Sequence, residues 1–401
     1  GWLWGPGALG AFVSVLRRRR YDWAWHTNAL QDALHHLAGQ LPAGTPFLGL
    51  VTESEAGFDA AVILAAHLAG FELHTNAIRP GSGQSQMLWQ RALPKPQTTP
   101  ALPASEWIQQ AGAELLLQRA EPSSYLHLQT AAMQALAAQD LLAAPQTPPA
   151  EQFTQIRAAL ELGFTYRSGF LRYANPESAL DSGKWWLRTA PPPTAAPLAD
   201  RVEIAIVNHL MKHPGAATAE IDAAICAAFP ALLTPGEDLV QAVLESYAQL
   251  DDHGGWQIRP ADLPPARRAD LEQITAHITA LGSRLGYQPH PGPPLAWQHA
   301  DGQTHLAFHV IASALLEEII IPQNKAAKLN LVVLPGGRAN LVIHKLARDP
   351  RLHQAVEQGW LFIKYRHIRR LAENYTLTKQ SFDELLHLDP LTADPQQIPL
   401  L

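Results

Sequence analysis

PFLGLVTESEAGFDAAVILAAHLAGFELHTNAIRPGSGQSQMLWQRA, residues 46–92, is the stretch that decides the fold of the first part of the chain. The apolar run PFLGLV predicts a buried strand that ends in polar residues. GFDAAVILAAHLAG then predicts a helix that ends at Gly70, because helix C-termini favour glycine. Polar and apolar residues alternate on both sides of the following Gly-Ser-Gly, which is typical of a β-hairpin. The stretch therefore predicts a strand, a helix and a hairpin in succession.

Proline-rich stretches divide the chain into differently patterned segments. The sequence predicts stiff, extended spacers near 93–103, 144–149, 191–197 and 287–294. Between them we predict four segments, namely α/β elements over 1–92, a helical connector over 104–190, three helices and a hairpin over 198–260, and a mixed αβββαβ domain over 266–389. The chain is therefore expected to be a multidomain protein with α/β and α+β parts.

The composition is that of a folded protein. Of the 401 residues, 47% are apolar and 16% are charged, and the formal net charge is -6. The only cysteine, Cys226, excludes an intrachain disulfide, and we expect it to be a small buried side chain. No apolar run of about 18 residues is present, so we expect no membrane partner and a cytoplasmic location. Because the chain lacks a starting methionine and a signal peptide, we expect it to be the C-terminal part of a longer protein.

Residues 198–260 are predicted to fold as three short helices followed by a hairpin. Asp200 is the expected N-cap of the first helix and Thr218 that of the second. PGEDLVQAVLESYAQLDD predicts the third helix, and HGGWQIRP predicts a Gly-Gly turn and a strand. Three helices and a β-wing in this order resemble winged-helix domains.

Residues 1–92 resemble the end of a DNA adenine- or cytosine-amino methyltransferase. A helix in WHTNALQDALHHLAGQL, followed by the strand, helix and hairpin above, matches the order in which the Rossmann-like sheet of those enzymes finishes. The resemblance implies DNA as a partner and S-adenosylmethionine as a cofactor of the full-length protein. The family's Gly-rich loop for the methyl donor and its Asp/Asn-Pro-Pro-aromatic motif are both absent from this sequence. We therefore expect both motifs upstream, and we expect this chain alone to bind no cofactor and transfer no methyl group.

Residues 266–389 are similar in element order to the restriction-endonuclease-like fold. A metal site in that fold needs an acidic residue on one strand and an Asp/Glu-X-Lys triplet on the next, because carboxylates bind Mg²⁺. The corresponding strand here contains LAFHVIA, which has neither a carboxylate nor a lysine. We therefore expect this domain to bind DNA without nuclease activity.

Residues 331–379 concentrate positive charge. Nine basic and three acidic residues give this segment a charge of +6 within a chain of -6, a pattern typical of contacts with nucleic-acid phosphates. The residues predicted to bind nucleic acid here are Arg338, Lys345, Lys364, Arg366, Arg369 and Arg370. The alternative is a solvated face whose cations lie near acidic partners in the same domain.

The helix predicted to start near Arg366 makes this hypothesis specific. It is expected to bury Ile368 and Leu371 and to leave Arg366, Arg369 and Arg370 on its open side. Replacing the three arginines together with alanine is then expected to weaken DNA binding and to lower the salt slope by about two to three.

VLRRRRYDWAWH provides a second candidate. It places Arg18, Arg19 and Arg20, within a run of four arginines, beside Tyr21 and two tryptophans. Aromatic rings stack on unpaired bases, and arginines contact phosphates, so this pattern suits single-stranded or flipped-base contacts. The alternative is a loop with solvated arginines whose aromatic side chains fill a core.

Other motifs carry weaker signals. LPGGR predicts a tight strand-to-helix turn, with a phosphate contact by Arg338 as the alternative. SGKWWLR, residues 182–188, is expected to anchor a domain junction, with a substrate role as the alternative. His209 and His213 are spaced like metal ligands on a helix, but no third ligand follows at a supporting distance, so we expect no metal site.

These observations lead to one functional hypothesis and one alternative. The hypothesis is the DNA-binding C-terminal portion of a DNA methyltransferase-like protein of modification or phage defence, in which chemistry encoded upstream acts on DNA positioned by this chain. Its partners would be DNA and other subunits of such a system. The alternative is a non-enzymatic winged-helix module for protein–protein assembly.

Overall fold

The computed structural model describes residues 13–15, 17–52, 54–79, 83–92, 102–143, 146–165, 168–175, 177–191, 194–322, 327 and 329–391. These residues form helices and several small sheets, which confirms a mixed α/β and α+β architecture. The chain divides into two compact units. Unit 1 comprises residues 1–195 and 229–234, and unit 2 comprises residues 196–228 and 235–401.

Unit 1 begins with a long helix and a small sheet and continues with three helices and a second hairpin. Its elements are α1 (Trp23–Gln40), β1 (Pro46–Val51), α2 (Ala56–Leu68), β2 (Phe71–Arg79), β3 (Gln84–Arg91), α3 (Ala104–Arg119), α4 (Tyr125–Ala138), α5 (Pro149–Thr165), β4 (Phe170–Tyr173) and β5 (Lys184–Leu187). The strand, helix and hairpin expected from residues 46–92 are confirmed, but β1 is not the buried strand that was expected, because Leu48 and Leu50 are exposed. Gly70 follows α2 with a φ of +88°, a backbone conformation that glycine adopts without strain.

The three-stranded sheet of unit 1 has the order β1-β3-β2, so the last strand lies between the first two. β3 is antiparallel to both neighbours, with Leu48 opposite Leu88 and Ala77 opposite Gln86. One face packs on α2, whose residues Ala61, Ile63 and Leu64 are almost fully buried. The continuous apolar run in α2 therefore forms the centre of this core.

Strand β1 is an edge of this sheet, and its outward face is apolar. Leu48 and Leu50 are 59% and 67% exposed, and the strand PFLGLV carries no charged residue. The opposite edge differs, because β2 carries Glu72 and Arg79. Edge strands are ordinarily protected by charges or by bulges, and β1 has no charge to protect it.

The helical part of unit 1 packs through small residues. A Cβ atom on Gly163 of α5 would lie 2.7 Å from the Ile108 side chain of α3. A Cβ atom on Gly112 of α3 would in turn lie 2.8 Å from Phe164. Glycine at both positions lets the two helices approach closely, and their buried side chains join the same core as α2 and the β4-β5 hairpin.

Unit 2 contains a three-helix part with a hairpin, followed by a five-stranded sheet with helices. The first part consists of α6 (Leu198–Lys212), α7 (Thr218–Ala228), α8 (Glu237–Tyr247), β6 (Ala248–Leu250) and β7 (Trp256–Ile258). The second consists of α9 (Pro264–Arg284), β8 (Gln288–His290), β9 (Leu295–Gln298), β10 (Thr304–Val310), α10 (Glu317–Ile320), β11 (Leu329–Leu334), α11 (Ala339–Arg348), α12 (Pro350–Glu357), β12 (Trp360–Lys364), α13 (Tyr365–Glu373) and α14 (Lys379–Leu385).

The five strands have the order β12-β11-β10-β9-β8. The three strands β10, β11 and β12 are parallel, while β8 and β9 run antiparallel to their neighbours. Alternate residues such as Leu331, Val333 and Ile363 join a core with α9, α13 and α14. The carboxyl ends of β10, β11 and β12 therefore lie at one edge of the sheet, and the residues that follow them occupy that edge.

Some local expectations were wrong. Asp200 is not the N-cap of α6, because the helix begins two residues earlier at Leu198 and the Asp200 side chain is buried with Lys345. Residues 287–294 are not a spacer, since they contain β8, which pairs with β9, and the buried Tyr287. The third helix ends at Tyr247 instead of continuing to residue 252, because the next residues pair as β6 with β7. Most of the spacer predicted near 93–103 and the Gly81-Ser82 pair of the first hairpin lie outside the described residues.

Candidate nucleic-acid interface

The arginine run before α1 is exposed. Arg17, Arg18, Arg19 and Arg20 all face solvent, and the neighbouring Tyr21 is 65% exposed. The Arg20 guanidinium lies 5.4 Å from the centre of the Tyr21 ring. This segment, residues 17–21, is called the arginine segment below.

Two contacts hold the arginine segment at the start of α1. Asp22 caps the helix by accepting a hydrogen bond from the Trp25 amide at 3.1 Å, and Arg19 Nη1 donates to its carboxylate at 2.6 Å. These two hydrogen bonds, first that from the Trp25 amide, lower the pKa of Asp22. Trp23 packs on Phe58 of α2, with 5.6 Å between ring centres. The structure thus fixes the exposed arginines beside a core made by their aromatic neighbours.

Arg338 lies in a buried environment. It follows β11 in a short 3₁₀ turn, its side chain is fully buried, and its guanidinium carbon is 3.3 Å from the centre of the Tyr247 ring. It donates hydrogen bonds to the Asp262 carboxylate and to the Ser246 carbonyl. Arg338 therefore cannot make the expected phosphate contact, because its hydrogen-bonding groups already face protein acceptors.

Lys345 is buried in the same unit. Its Nζ atom lies 2.5 Å from a carboxylate oxygen of Asp200 and 2.5 Å from one of Glu203, and it donates to the Ala314 carbonyl at 2.9 Å. Burial alone would lower the Lys345 pKa, but the Glu203 and Asp200 carboxylates outweigh it and raise the pKa. A cation held in this way cannot reach a phosphate in solvent.

Lys364 and Arg366 share one carboxylate. Lys364 ends β12, is buried, and donates to Asp389 Oδ1 at 3.0 Å. Arg366 donates to both oxygens of Asp389, each at 2.7 Å, and its side chain is 28% exposed. Both cations therefore have an acidic partner within unit 2.

The last two residues of the predicted cluster are more accessible. Arg369 Nη2 donates to Asp270 Oδ1 at 2.5 Å, and its side chain is 37% exposed. Arg370 is exposed. Ile368 and Leu371 are buried in the unit 2 core as expected, so the helical register was correct although most of the arginines are paired.

The charge of +6 within residues 331–379 is offset by acids that lie elsewhere in the sequence. The carboxylates that pair with this segment from outside it are Asp200, Glu203, Asp262, Asp270, Glu317 and Asp389. A count restricted to the segment therefore overstates the field that a nucleic acid would meet there. The arrangement corresponds to the alternative in which cations lie near acidic partners of the same domain.

The three-helix part of unit 2 is acidic. Residues 198–260 contain nine acidic and three basic residues, which gives a charge of -6. The open face of α8 carries Glu237, Asp238, Gln241 and Glu245, all exposed. Such a face repels phosphates, so α8 does not suit insertion into a DNA groove.

The tryptophan pair near residue 185, the histidine pair at the end of α6 and the cysteine were also singled out in the sequence. Trp185 and Trp186 are 3% and 8% exposed and belong to the core of unit 1. The rings of His209 and His213 lie 4.8 Å apart, but no group of three or more potential ligands occurs within the part of the chain that the structure describes. Cys226 is half-buried.

None of the described helices is long and apolar enough to cross a membrane.

Sequence reasoning missed the buried ionic groups of unit 2, although a signal was present. Glu203 lies among Val202, Ile206 and Leu210 on the apolar face of α6. Lys345 follows Leu341 and Val342 at helical spacing on the apolar face of α11 in the same way. A charge on the apolar face of an amphipathic helix indicates a buried partner of opposite charge, and these two residues are such partners.

Comparisons of the chain with family models, with curated proteins and with solved structures give no match.

Proposed function

We propose that this chain is the nucleic-acid-binding part of a DNA amino-methyltransferase-like protein, and that the arginine segment makes the contact. One observation carries the proposal, namely four consecutive arginine side chains that face solvent beside the exposed ring of Tyr21. Cations of this kind bind phosphates, and an exposed ring offers a surface on which an unpaired base stacks. The proposed nucleic-acid contact therefore lies at the start of unit 1. It does not lie at residues 338–370, where most cations are paired.

The sheet of unit 1 supports the methyltransferase-like part of the proposal. A strand, a helix and a hairpin follow one another, and β3 returns between β1 and β2. This is the element order with which the Rossmann-like sheet of the resembled enzymes finishes. Since the sequence contains neither diagnostic motif, the proposal gives the chain a role in binding and no step of the chemistry.

The test is a titration of a fluorescent single-stranded DNA oligonucleotide at several salt concentrations. The informative variant replaces Arg17, Arg18 and Arg20 with alanine and keeps Arg19, which holds the Asp22 cap. We expect the slope of log K against log salt to fall by about two, since each phosphate contact contributes about 0.7 on a single strand. An unchanged slope contradicts the proposal.

A matched control removes the same charge elsewhere. Arg268, Arg370 and Lys379 are exposed in unit 2, and their joint replacement with alanine leaves the arginine segment intact. We expect this control to bind the oligonucleotide as the parent does. Equal losses in the two triple variants would mean that net charge alone drives the binding, and the assignment to residues 17–20 would be wrong.

The acidic face of α8 favours a second role for unit 2, as a non-enzymatic winged-helix module for protein–protein assembly. The observation is the exposure of Glu237, Asp238 and Glu245 on one helix face, where nucleic acid would be repelled. Light scattering after size-exclusion chromatography at low and high salt tests this role as self-association. Oligomers that persist at high salt support it, and a monomer at every concentration and salt level contradicts self-assembly.

A further inference from the structure

Unit 1 contains a cavity of about 610 Å³ that the proposed nucleic-acid contact does not use. It opens beyond the carboxyl end of β1, where Ser54 precedes α2, and helices α4 and α5 form further walls. Its size falls within the range of small-molecule sites. The cavity therefore has the size of a ligand site.

The inner wall is apolar and aromatic. Trp23, Phe153 and Tyr125 line it together with Met133 and Leu160. Tyr125 is 5% exposed, and none of the described residues hydrogen bonds its hydroxyl group. This hydroxyl group borders the cavity without a hydrogen bond to the described residues, so it can contact a ligand there.

The rim is acidic. Glu55 comes from the start of α2, Glu161 from α5, and Asp181 from the loop before β5. Among the described residues of the lining the basic one is Arg157, whose Nε atom lies 3.1 Å from Glu161 Oε1. Three carboxylates and one guanidinium give this described lining a charge of minus two, which disfavours phosphates and other anions.

We propose that this cavity binds a small organic cation, an ammonium group on an apolar or aromatic body. The aromatic wall contacts the apolar body of the ligand. Its rings also attract the ammonium group, since ammonium groups bind to the faces of tryptophan and tyrosine rings. The Glu161 and Asp181 carboxylates accept the ammonium hydrogens, and the Tyr125 hydroxyl provides a further polar contact. The arginine segment and the cavity thus select opposite charges within the same unit.

Calorimetry with three related probes tests the charge preference. Tryptamine carries an ammonium group, tryptophol has a neutral hydroxyl in its place, and indole-3-acetate is an anion. We expect tryptamine to bind roughly tenfold more tightly than tryptophol, and indole-3-acetate to show no saturable heat. Equal binding of tryptamine and tryptophol, or no binding of tryptamine, overturns the proposal.

Matched carboxylate variants test the location. Glu161→Gln and, separately, Asp181→Asn are each expected to weaken tryptamine about fivefold and to leave tryptophol binding unchanged. Glu114→Gln is the control, because Glu114 is an exposed carboxylate on α3 away from the lining. The site is elsewhere if both cavity variants bind tryptamine as Glu114→Gln does. Circular dichroism of each variant confirms that the fold is kept.

Discussion

The arginine segment places four side chains in solvent, whereas Arg338, Lys345 and Lys364 of unit 2 are buried against carboxylates. In the amino-acid sequence, both regions contain many more basic than acidic residues. The difference is that Arg19 in the first region pairs with its neighbour Asp22, while the second region meets acids that are up to 145 residues away. Local charge density in the sequence therefore does not by itself predict an interface, because the fold can bring distant opposite charges to the same place.

The two regions also differ in what their cations contribute. In the arginine segment, the charges are exposed, so they add little to folding and lie where a partner in solvent can reach them. In unit 2, the buried pairs join segments that are distant in sequence, such as α11 to α6 through Lys345 and Asp200. Removing one member leaves an uncompensated charge in a medium of low dielectric constant. Substitution in the first region is therefore expected to change binding, and substitution in the second to change stability.

The largest effect is expected at Lys345. Lys345→Met removes the cation and leaves Asp200 and Glu203 side by side and buried, so we expect the free energy of unfolding to fall by about 3–5 kcal/mol. Urea denaturation followed by circular dichroism measures this loss. Arg370→Met, which changes an exposed cation of the same unit, is the control and should cost less than about 0.5 kcal/mol. A similar small cost for both variants would show that the buried pair is not a stabilising element.

Asp389 should have the next largest effect, and the effect should depend on pH. Burial raises the pKa of this carboxyl, but the hydrogen bonds from Arg366 and Lys364 outweigh it, so the pKa is lowered from 3.8. The carboxylate therefore contributes stability above pH 3.8, and this contribution is lost as the pH falls through the lower folded value. We expect Asp389→Asn to cost about 2–3 kcal/mol at neutral pH, since it removes charged hydrogen bonds from two cations.

Acid titration of the same pair of proteins sharpens this prediction. The difference in stability between parent and Asp389→Asn should shrink as the pH falls below 3.8, because the parent then loses the same charge. Urea midpoints at neutral and acidic pH provide the measurement. A difference that stays constant across that range would mean that the carboxylate charge is not what joins Lys364 and Arg366.

Tyr21 distinguishes stacking from charge in the arginine segment. Tyr21→Leu keeps every arginine and removes the ring, so we expect single-stranded DNA to bind about fivefold more weakly with an unchanged salt slope. Tyr375→Leu is the control, because Tyr375 is 86% exposed in unit 2 and also lies beside an arginine, with Arg284 5.8 Å from its ring centre. A loss of affinity in both variants would place the binding surface on both units.

The smallest effect on binding is expected from Arg366, Arg369 and Arg370. The sequence alone predicted that their joint replacement with alanine would lower the salt slope by about two to three. With Arg366 on Asp389 and Arg369 on Asp270, we now expect affinity within about twofold of the parent and a slope change below about one. The oligonucleotide titration described above measures both. A fall of two or more would restore the basic segment of unit 2 as the interface.

Local patterns predicted the strand, helix and hairpin of residues 46–92, but they missed the β4-β5 hairpin in the segment expected to be a helical connector. The alternation around Gly-Ser-Gly identified the β2-β3 hairpin, and Gly70 marked the end of α2, because turns and helix ends depend on residues close in sequence. The position of β3 between β1 and β2 did not follow from those patterns. Strand order depends on which edge offers hydrogen bonds, and the linear sequence does not state it.

The candidate site was harder to predict than the fold. Asp200 was assigned to a helix cap because aspartate favours that position, yet burial with Lys345 decided its place. Lys345 was assigned to phosphate because it lies among other cations, yet the apolar positions before it put it inside. Both errors have one physical cause, which is that charge pairing over long separations outweighs a residue's local preference.

The apolar composition of the edge strand β1 has a consequence for the behaviour of the protein at high concentration. PFLGLV combines apolar side chains with the absence of any charge, which is the composition of segments that stack edge to edge into aggregates. With Leu48 and Leu50 exposed, this strand offers two copies of the sheet an apolar surface through which to meet. We expect aggregation during purification to begin at this strand. Leu50→Lys would oppose it by placing a charge on a strand that has none.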